Sequence, residues 1–250
     1  MKLFKLSLIT ALSASTLLMA VPAVMAEEEE VGTLNTTTEG VITFIADDDY
    51  DGGEDPDNPD NPIDGNKGAF TINYVPDFDF GEHVITGRPE EIEATAAKVT
   101  SDGEELERAH FVQIRDNSGR RTGWTLKLRQ TGQFYSAETT NELHGATITL
   151  KNPSIVNQNS VDGLSYKGGD GDYVLPINES IDLFTAEADR GIGHSTLMWG
   201  DASSLLEKDD RNVNPSVVLS IPADVEATTY TTEFEWSLES TPPTTDSTPE

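Results

Sequence analysis

Apolar and polar residues alternate along much of this chain, and the alternation has the period of a β-strand. Phe70, Ile72 and Tyr74 alternate with Thr71 and Asn73, which predicts a strand ending before Pro76. Residues i and i+2 of a strand share a face. The run Gly123-Trp124-Thr125-Leu126-Lys127-Leu128-Arg129-Gln130 therefore places Trp124, Leu126 and Leu128 on one side and Thr125, Lys127 and Arg129 on the other. Phe234-Glu235-Trp236-Ser237-Leu238 repeats the Trp-x-Leu spacing near the C-terminus. Phe111 to Arg115, a turn at Asp116-Asn117-Ser118-Gly119, and the Trp124 run together predict a hairpin. Further strands are expected at Val41 to Ile45, Ala146 to Lys151, Val217 to Ile221 and Tyr230 to Leu238. Arg88 to Thr100 mixes helix formers with an Ile92, Ala94, Ala96 alternation and is read as strand, because its neighbours are strands. Ile181 to Ala188 fits a strand or one short helix, and Ser203 to Lys208 a helical turn. Asn152 to Gly171 is turn-rich and reads as a long loop. The fold class expected is all-β: an antiparallel, Greek-key-like β-sandwich with a long acidic loop and disordered termini.

One stretch breaks the alternation. Asp47 to Asn66 is almost entirely Asp, Gly, Pro and Asn, a composition read as unable to bury apolar surface. The spacing of Pro56, Pro59 and Pro62 suggests a stiff loop or linker extended by its own charge. It contains Asp47-x-Asp49-x-Asp51-Gly52, the opening of an EF-hand-type calcium loop. However, Pro56 falls inside that loop, Asn58 stands where the bidentate Glu belongs, and no helices flank it. The segment is read as a solvated acidic linker with weak, non-specific cation association, and no metal site is assigned.

Charge narrows the function classes. The 250-residue chain carries 45 acidic residues against 16 basic ones, a net charge of −29. Such a surface repels phosphate backbones and anionic lipid, which argues against nucleic acid as the partner, favours solubility and permits binding of cations or basic partners. Arg115, Arg120 and Arg121 form a local positive island at the predicted turn, read as pairing with nearby carboxylates. There is no cysteine, so a disulfide framework, a thiolate zinc site and a cysteine nucleophile are all excluded.

Residues 1–26 read as a secretory signal: Lys2 and Lys5 precede an apolar run from Leu6 to Ala20, and Val24-Met25-Ala26 offers small residues for cleavage after Ala26. That run is shorter than the ~20 residues a membrane span needs. The layout expected is an acidic, Thr-rich segment at 27–40, a domain at 41–240 interrupted by the 47–66 linker, and a polar tail at 241–250 with neither a hydrophobic anchor nor a Leu-Pro-x-Thr-Gly sorting signal. A secreted protein retained at the cell surface would then be held there non-covalently.

Catalytic patterns are not found. His83, His110, His144 and His194 are scattered, and no His-Glu-x-x-His, Gly-x-Ser-x-Gly or phosphate loop occurs. His194-Ser195 reads as part of an exposed loop, since neighbours on a strand point apart. Carboxylates are so abundant that no pair among them singles out a glycosidase site. No catalytic residue and no cofactor is assigned. The candidate site residues are Trp124, Leu126, Trp236 and Leu238. Two readings of them stand open: an exposed aromatic surface for sugar or protein, or core, which strand physics favours because burying a Trp stabilises by several kcal/mol at ~25 cal/mol per Å².

A resemblance adds to this. Tyr74-x-x-Asp77-Phe78-Asp79-Phe80-Gly81, then Gly123-Trp124-x-Leu126-x-Leu128-x-Gln130, then Tyr230 followed by Trp236-x-Leu238-x-x-Thr241-Pro242 occur in that order after a signal peptide and an acidic Asp-Pro segment. In this the chain resembles the WxL-domain surface proteins of Gram-positive, low-GC bacteria such as enterococci, lactobacilli and listeriae. The resemblance implies a non-enzymatic, secreted domain at the cell surface, bound non-covalently to wall peptidoglycan and not embedded in the membrane. It also implies possible complexes with membrane-anchored surface proteins encoded alongside. Trp124-Leu126 and Trp236-Leu238 are its motif positions. Gly191-Ile192-Gly193 leading to Trp199-Gly200 matches the family's Gly-rich stretch only loosely. A protein-interaction subunit and, behind it, a secreted carbohydrate-active enzyme are the other classes carried forward.

Overall fold

The computed structural model describes residues 39–48 and 52–240. The expected signal segment, most of the acidic N-terminal segment, Asp49 and Asp51 of the calcium-like pattern, and the polar tail lie outside the described residues. By contacts the chain divides after Thr43, and everything below concerns the second unit unless stated.

Among the described residues, nineteen strands and one 3-10 turn follow one another. They are β1 Gly53–Asp55, β2 Asn58–Ile63, β3 Phe70–Tyr74, β4 Glu90–Thr95, β5 Ala97–Ser101, β6 Glu104–Arg108, β7 His110–Asp116, β8 Trp124–Gln130, β9 Tyr135–Ser136 and β10 Asn141–Glu142. Then come β11 Thr147–Leu150, β12 Pro153–Asn157, β13 Leu164–Tyr166, β14 Tyr173–Val174, β15 Ser180–Ala186, β16 Gly193–Trp199, the turn Ala202–Ser204, β17 Leu206–Lys208, β18 Arg211–Ile221 and β19 Phe234–Ser240. The protein is all-β and the strands pair antiparallel, as the alternation predicts.

Three larger sheets close around one core: β14-β11-β18-β17 with β4 on β18, β12-β16-β7-β3, and β13-β15-β8-β19. The apolar alternates of each strand meet there: Ile92, Ile148, Leu150, Val217 and Leu219 from the first sheet, Val112, Ile114, Leu197 and Trp199 from the second, Trp124, Leu126, Leu128, Ile181 and Leu183 from the third. The second sheet has a smaller apolar cluster of its own, Ile63, Val99, Phe111 and Met198 with Tyr74 and Leu106. Phe111 and Val112 are adjacent, so they point to opposite faces, and the two clusters sandwich the sheet. The hairpins β1-β2 and β5-β6 supply the cover, tied together where Asp64 N donates to Thr100 O and Ser101 Oγ to Pro62 O. Every residue of β7 and of β16 is consequently buried, the pattern of strands covered on both faces.

Several expectations are corrected. Phe111–Arg115 and Trp124–Arg129 are strands but do not form a hairpin. β7 pairs with β3 and β16, whereas β8 pairs with β15 and β19. The connection, with Gly119, Arg121 and Gly123 at positive φ, carries the chain from one sheet to the next; a corner of this kind uses the same turn residues as a hairpin. The Asp/Pro-rich stretch is not a loop throughout, since residues 53–63 fold as β1-β2. Asn152 to Gly171 contains β12 and β13. Ile181 to Ala186 is strand, and Ser203–Lys208 gives the end of the 3-10 turn followed by β17. Val41 to Ile45 belongs to no strand.

Candidate functional site: the paired Trp strands and the covered sheet

The two Trp-x-Leu segments are distant in sequence and adjacent in space. β8 is an inner strand and β19 is the edge beside it. Their antiparallel register sets Leu238 opposite Leu126 and Trp236 opposite Leu128. Cross-strand neighbours on one face pack side by side, so the two motifs interleave on one apolar surface.

That surface is core on the β8 side. Trp124 and Leu126 are both 0 % exposed. The indole Nε1 donates to Gly191 O at 3.2 Å, and the Trp124 ring meets Phe184 edge-on with centroids 4.9 Å apart. Gly191 has φ +67°, and a Cβ there would sit 2.6 Å from that same Nε1. The glycine-rich stretch that sequence comparison matched only loosely is thus the cradle of Trp124. Phe234, Trp236 and Leu238 on β19 are half-buried and pack against the same core. Of the four motif positions, only Trp236 and Leu238 reach the surface.

The opposite face of these strands is ionic. Lys127 Nζ lies 2.7 Å from Glu239 and Arg129 3.1 Å from Glu235. Two arginines of the predicted island are also paired: Arg121 with Asp189 at 2.8 Å, and Arg115, itself buried, with Asp47 at 2.8 Å. Asp47, first residue of the calcium-like pattern, is thereby a partner of arginine. Among the described residues no cluster of potential metal ligands occurs.

The aromatic Asp77-Phe78-Asp79-Phe80-Gly81 segment links this sheet to the rest. Phe78 stacks on His110 at 5.5 Å and leans on Phe234 at 4.8 Å, and Phe80 meets Phe134 at 6.2 Å. Gly81, at φ +73°, leaves room for the Arg211 guanidinium. Burial lowers His110 to a pKa of about 4, and Asn214 lies at its Nδ1, 3.1 Å away. A histidine held neutral in the fold takes up its proton more readily when unfolded. Stability is therefore complete above about pH 6.5 and falls as the pH drops toward 4, by up to ~1.4 kcal/mol per pH unit. Urea midpoints at pH 7, 6 and 5 should show this slope in the parent protein and a flatter one in His110→Gln; equal slopes would assign the effect elsewhere.

A second feature escaped sequence reasoning. The β1-β2 hairpin lies over the outer face of the β12-β16-β7-β3 sheet and leaves a groove of about 350 Å³ lined by Glu54, Asp55, Pro59, Gln113, His194 and Thr196, among others. The Gln113 amide holds β1 as a neighbouring strand would: its Oε1 accepts from Glu54 N at 2.8 Å and its Nε2 donates to Glu54 O at 2.9 Å. Asn73, turned inward at a bulge in β3, donates to Gly52 O at 2.7 Å. His194 Nδ1 lies 2.7 Å from Glu54 Oε1. His194 and Ser195 are buried on β16, and not in the exposed loop expected; Ser195 Oγ accepts from Asn157 at 2.8 Å, so the two side chains point apart and form no catalytic pair. Asp55, fully buried, is gripped by Arg108 through both oxygens at 2.7 and 2.5 Å. Burial pushes that carboxyl up, the Arg108 pair pulls it down, and the net result lies below the usual carboxylate value. Glu54 and Asp55 are thus committed to structural partners. The signal available was the alternation Phe111, Gln113, Arg115, but polar alternates ordinarily mark a solvent face.

Residues 31–242 match a family model described as WxL domain, surface cell wall-binding. No curated protein and no solved structure gives a significant match.

Proposed function

Since the chain belongs to the WxL family of surface cell-wall-binding domains, we propose that it is a secreted, non-catalytic module that attaches non-covalently to wall peptidoglycan, within a complex of surface proteins. The observation that carries this reading is the family match, which spans both Trp strands and the sheet that joins them. Attachment to the cell wall at the surface follows from the family itself. Peptidoglycan as the ligand is the finer step, and the net charge of −29 supports it over the anionic polymers of a wall, which such a surface repels. Among the described residues no helix is long and apolar enough to cross a membrane.

In this reading Trp124 and Leu126 act as core that shapes the domain, and ligand contact falls to surfaces a ligand can reach. Trp236 and Leu238, half-buried on an edge strand, favour a second reading for that edge: contact with a neighbouring surface protein. Sedimentation of the mature chain with purified peptidoglycan, at several salt and calcium concentrations, tests the proposal. Co-sedimentation that survives 0.5 M salt, roughly a 4 Å Debye length, is expected. A chain that stays in the supernatant under all conditions would sink wall binding and leave the partner-protein reading.

A further inference from the structure

The run Val41-Ile42-Thr43-Phe44-Ile45 has the composition of a strand, and the structure gives it no strand to pair with. Its four large apolar side chains are between 76 % and 90 % exposed. Five consecutive β-formers left in water are rare in a soluble protein and mark an interaction site. The root of the run is fixed: Asp47 accepts from buried Arg115 through both its backbone oxygen and its carboxylate, and the same guanidinium donates to Gly68 O at 3.0 Å, just ahead of β3.

A lone strand of this kind completes a sheet edge. The edges available on this chain differ. β3 has its outer groups taken by Asn66, whose backbone N donates to Asn73 O and whose side chain donates to Ile72 O. β4 carries Glu90, Glu91 and Glu93, and β19 carries Glu235 and Glu239, the usual charge protection of an edge. β12, Pro153-Ser154-Ile155-Val156-Asn157, has no charge, pairs among the described strands only with β16, and shows Val156 49 % exposed. β13 and β14 are edges without charge too, but only three and two residues long; β12 is five residues long, like the free run. In so acidic a protein, an uncharged strand meeting an uncharged edge is where two copies approach with least repulsion.

We infer that Val41–Ile45 of one copy adds as a strand to the β12 edge of a second copy. Pairing within one copy is excluded by reach. The Asp47 root is held by Arg115 of β7, a strand added beside β12 would lie three strand spacings, ~14 Å, from β7, and Ile45 can extend only ~7 Å from Asp47. Such a contact is head-to-tail and does not close on itself, so copies join into open chains. This inference does not depend on what the domain binds in the wall.

Sedimentation velocity and light scattering on the chain from Glu27 onward, across a hundredfold range of concentration, test it. The parent protein should show a mass that rises with concentration without a fixed ceiling, more so in 0.5 M salt, where repulsion between acidic copies is screened. The double variant Ile42→Asp/Phe44→Asp loses the donor and Val156→Asp loses the edge; each alone should be monomeric, the donor variant with unchanged melting, since its altered side chains are exposed, and the edge variant still folded with a small drop in melting, since Val156 borders the groove beside Glu54. Mixed at equal concentration, the two should form a 1:1 dimer, because one still has the edge and the other the donor. A parent protein monomeric throughout, donor-variant oligomers, or a mixture without dimers would each overturn the proposal.

Discussion

Trp124→Ala is expected to cost about 4 kcal/mol, enough to leave much of the domain unfolded at ordinary temperatures. The side chain is wholly buried and meets Phe184 edge-on, and its indole N–H is satisfied by Gly191 O. Truncation removes a large apolar area and opens a cavity between two sheets, and the core cannot collapse into it without shifting β15. Trp236→Ala, on a half-buried edge position, should cost about 1–2 kcal/mol. Urea titrations of both variants and of Trp124→Phe measure the difference. Loss of wall binding by Trp124→Ala with an unchanged urea midpoint would show that the first motif is a ligand contact, contrary to its burial here.

Arg108→Ala is expected to destabilise by about 3–5 kcal/mol, because it strands the Asp55 carboxylate, fully buried, without a counter-charge. Asp57, 3.3 Å from the same guanidinium, loses its partner as well. The sign with pH is diagnostic. In the parent protein the Asp55 carboxyl lies below its ordinary value, so its contribution is present above about pH 4 and is lost on further acidification. Without Arg108, burial, the largest influence on that carboxyl, is opposed only by the hydrogen bonds from Asp57 N and Asn61, so the carboxyl should move up and lowering the pH from 7 toward 4.5 should restore part of the lost stability. Asp55→Asn/Arg108→Ala should recover much of the loss without any pH change. A penalty below about 1 kcal/mol for Arg108→Ala would mean the β1-β2 hairpin is held by its backbone contacts and not by the ion pair.

The limits of the sequence reading follow from what alternation reports. It is local, and it located Trp124–Gln130 and Thr147–Leu150 well, because each has one apolar face toward one core; it located Phe70–Tyr74 too, although a bulge at Asn73 turns Tyr74 from the face of Phe70 and Ile72 to the second cluster. It does not report which strand pairs with which. β7 and β8 are neighbours in sequence with a turn between them, yet their long-range partners β16 and β19 offer the matching apolar faces. Polar alternates also mislead when a polar layer is itself covered. Gln113 and Arg115 look like a solvent face, and the element covering them is rich in Asp and Pro, which composition assigns to a linker. Asp55 can be buried there only because Arg108, 53 residues on, neutralises it. At the candidate site the motif residues were legible from spacing, but the cradle of Trp124 at Gly191 requires knowing a contact 67 residues away.

The covered sheet and the Trp strands also determine when the chain can fold. Gln113 meets Thr196 across 83 residues, and Arg129 meets Glu235 across 106. No disulfide can hold an early intermediate, since there is no cysteine. Loops of that length must close before their contacts stabilise anything, which places the domain among slow folders, on the order of milliseconds to seconds. A chain emerging N-terminus first therefore has β7 and β8 in place long before β16 and β19 arrive. Its outermost Trp strand is among the last pieces to be delivered, and until then the apolar face of β8 stands open to whatever else is present.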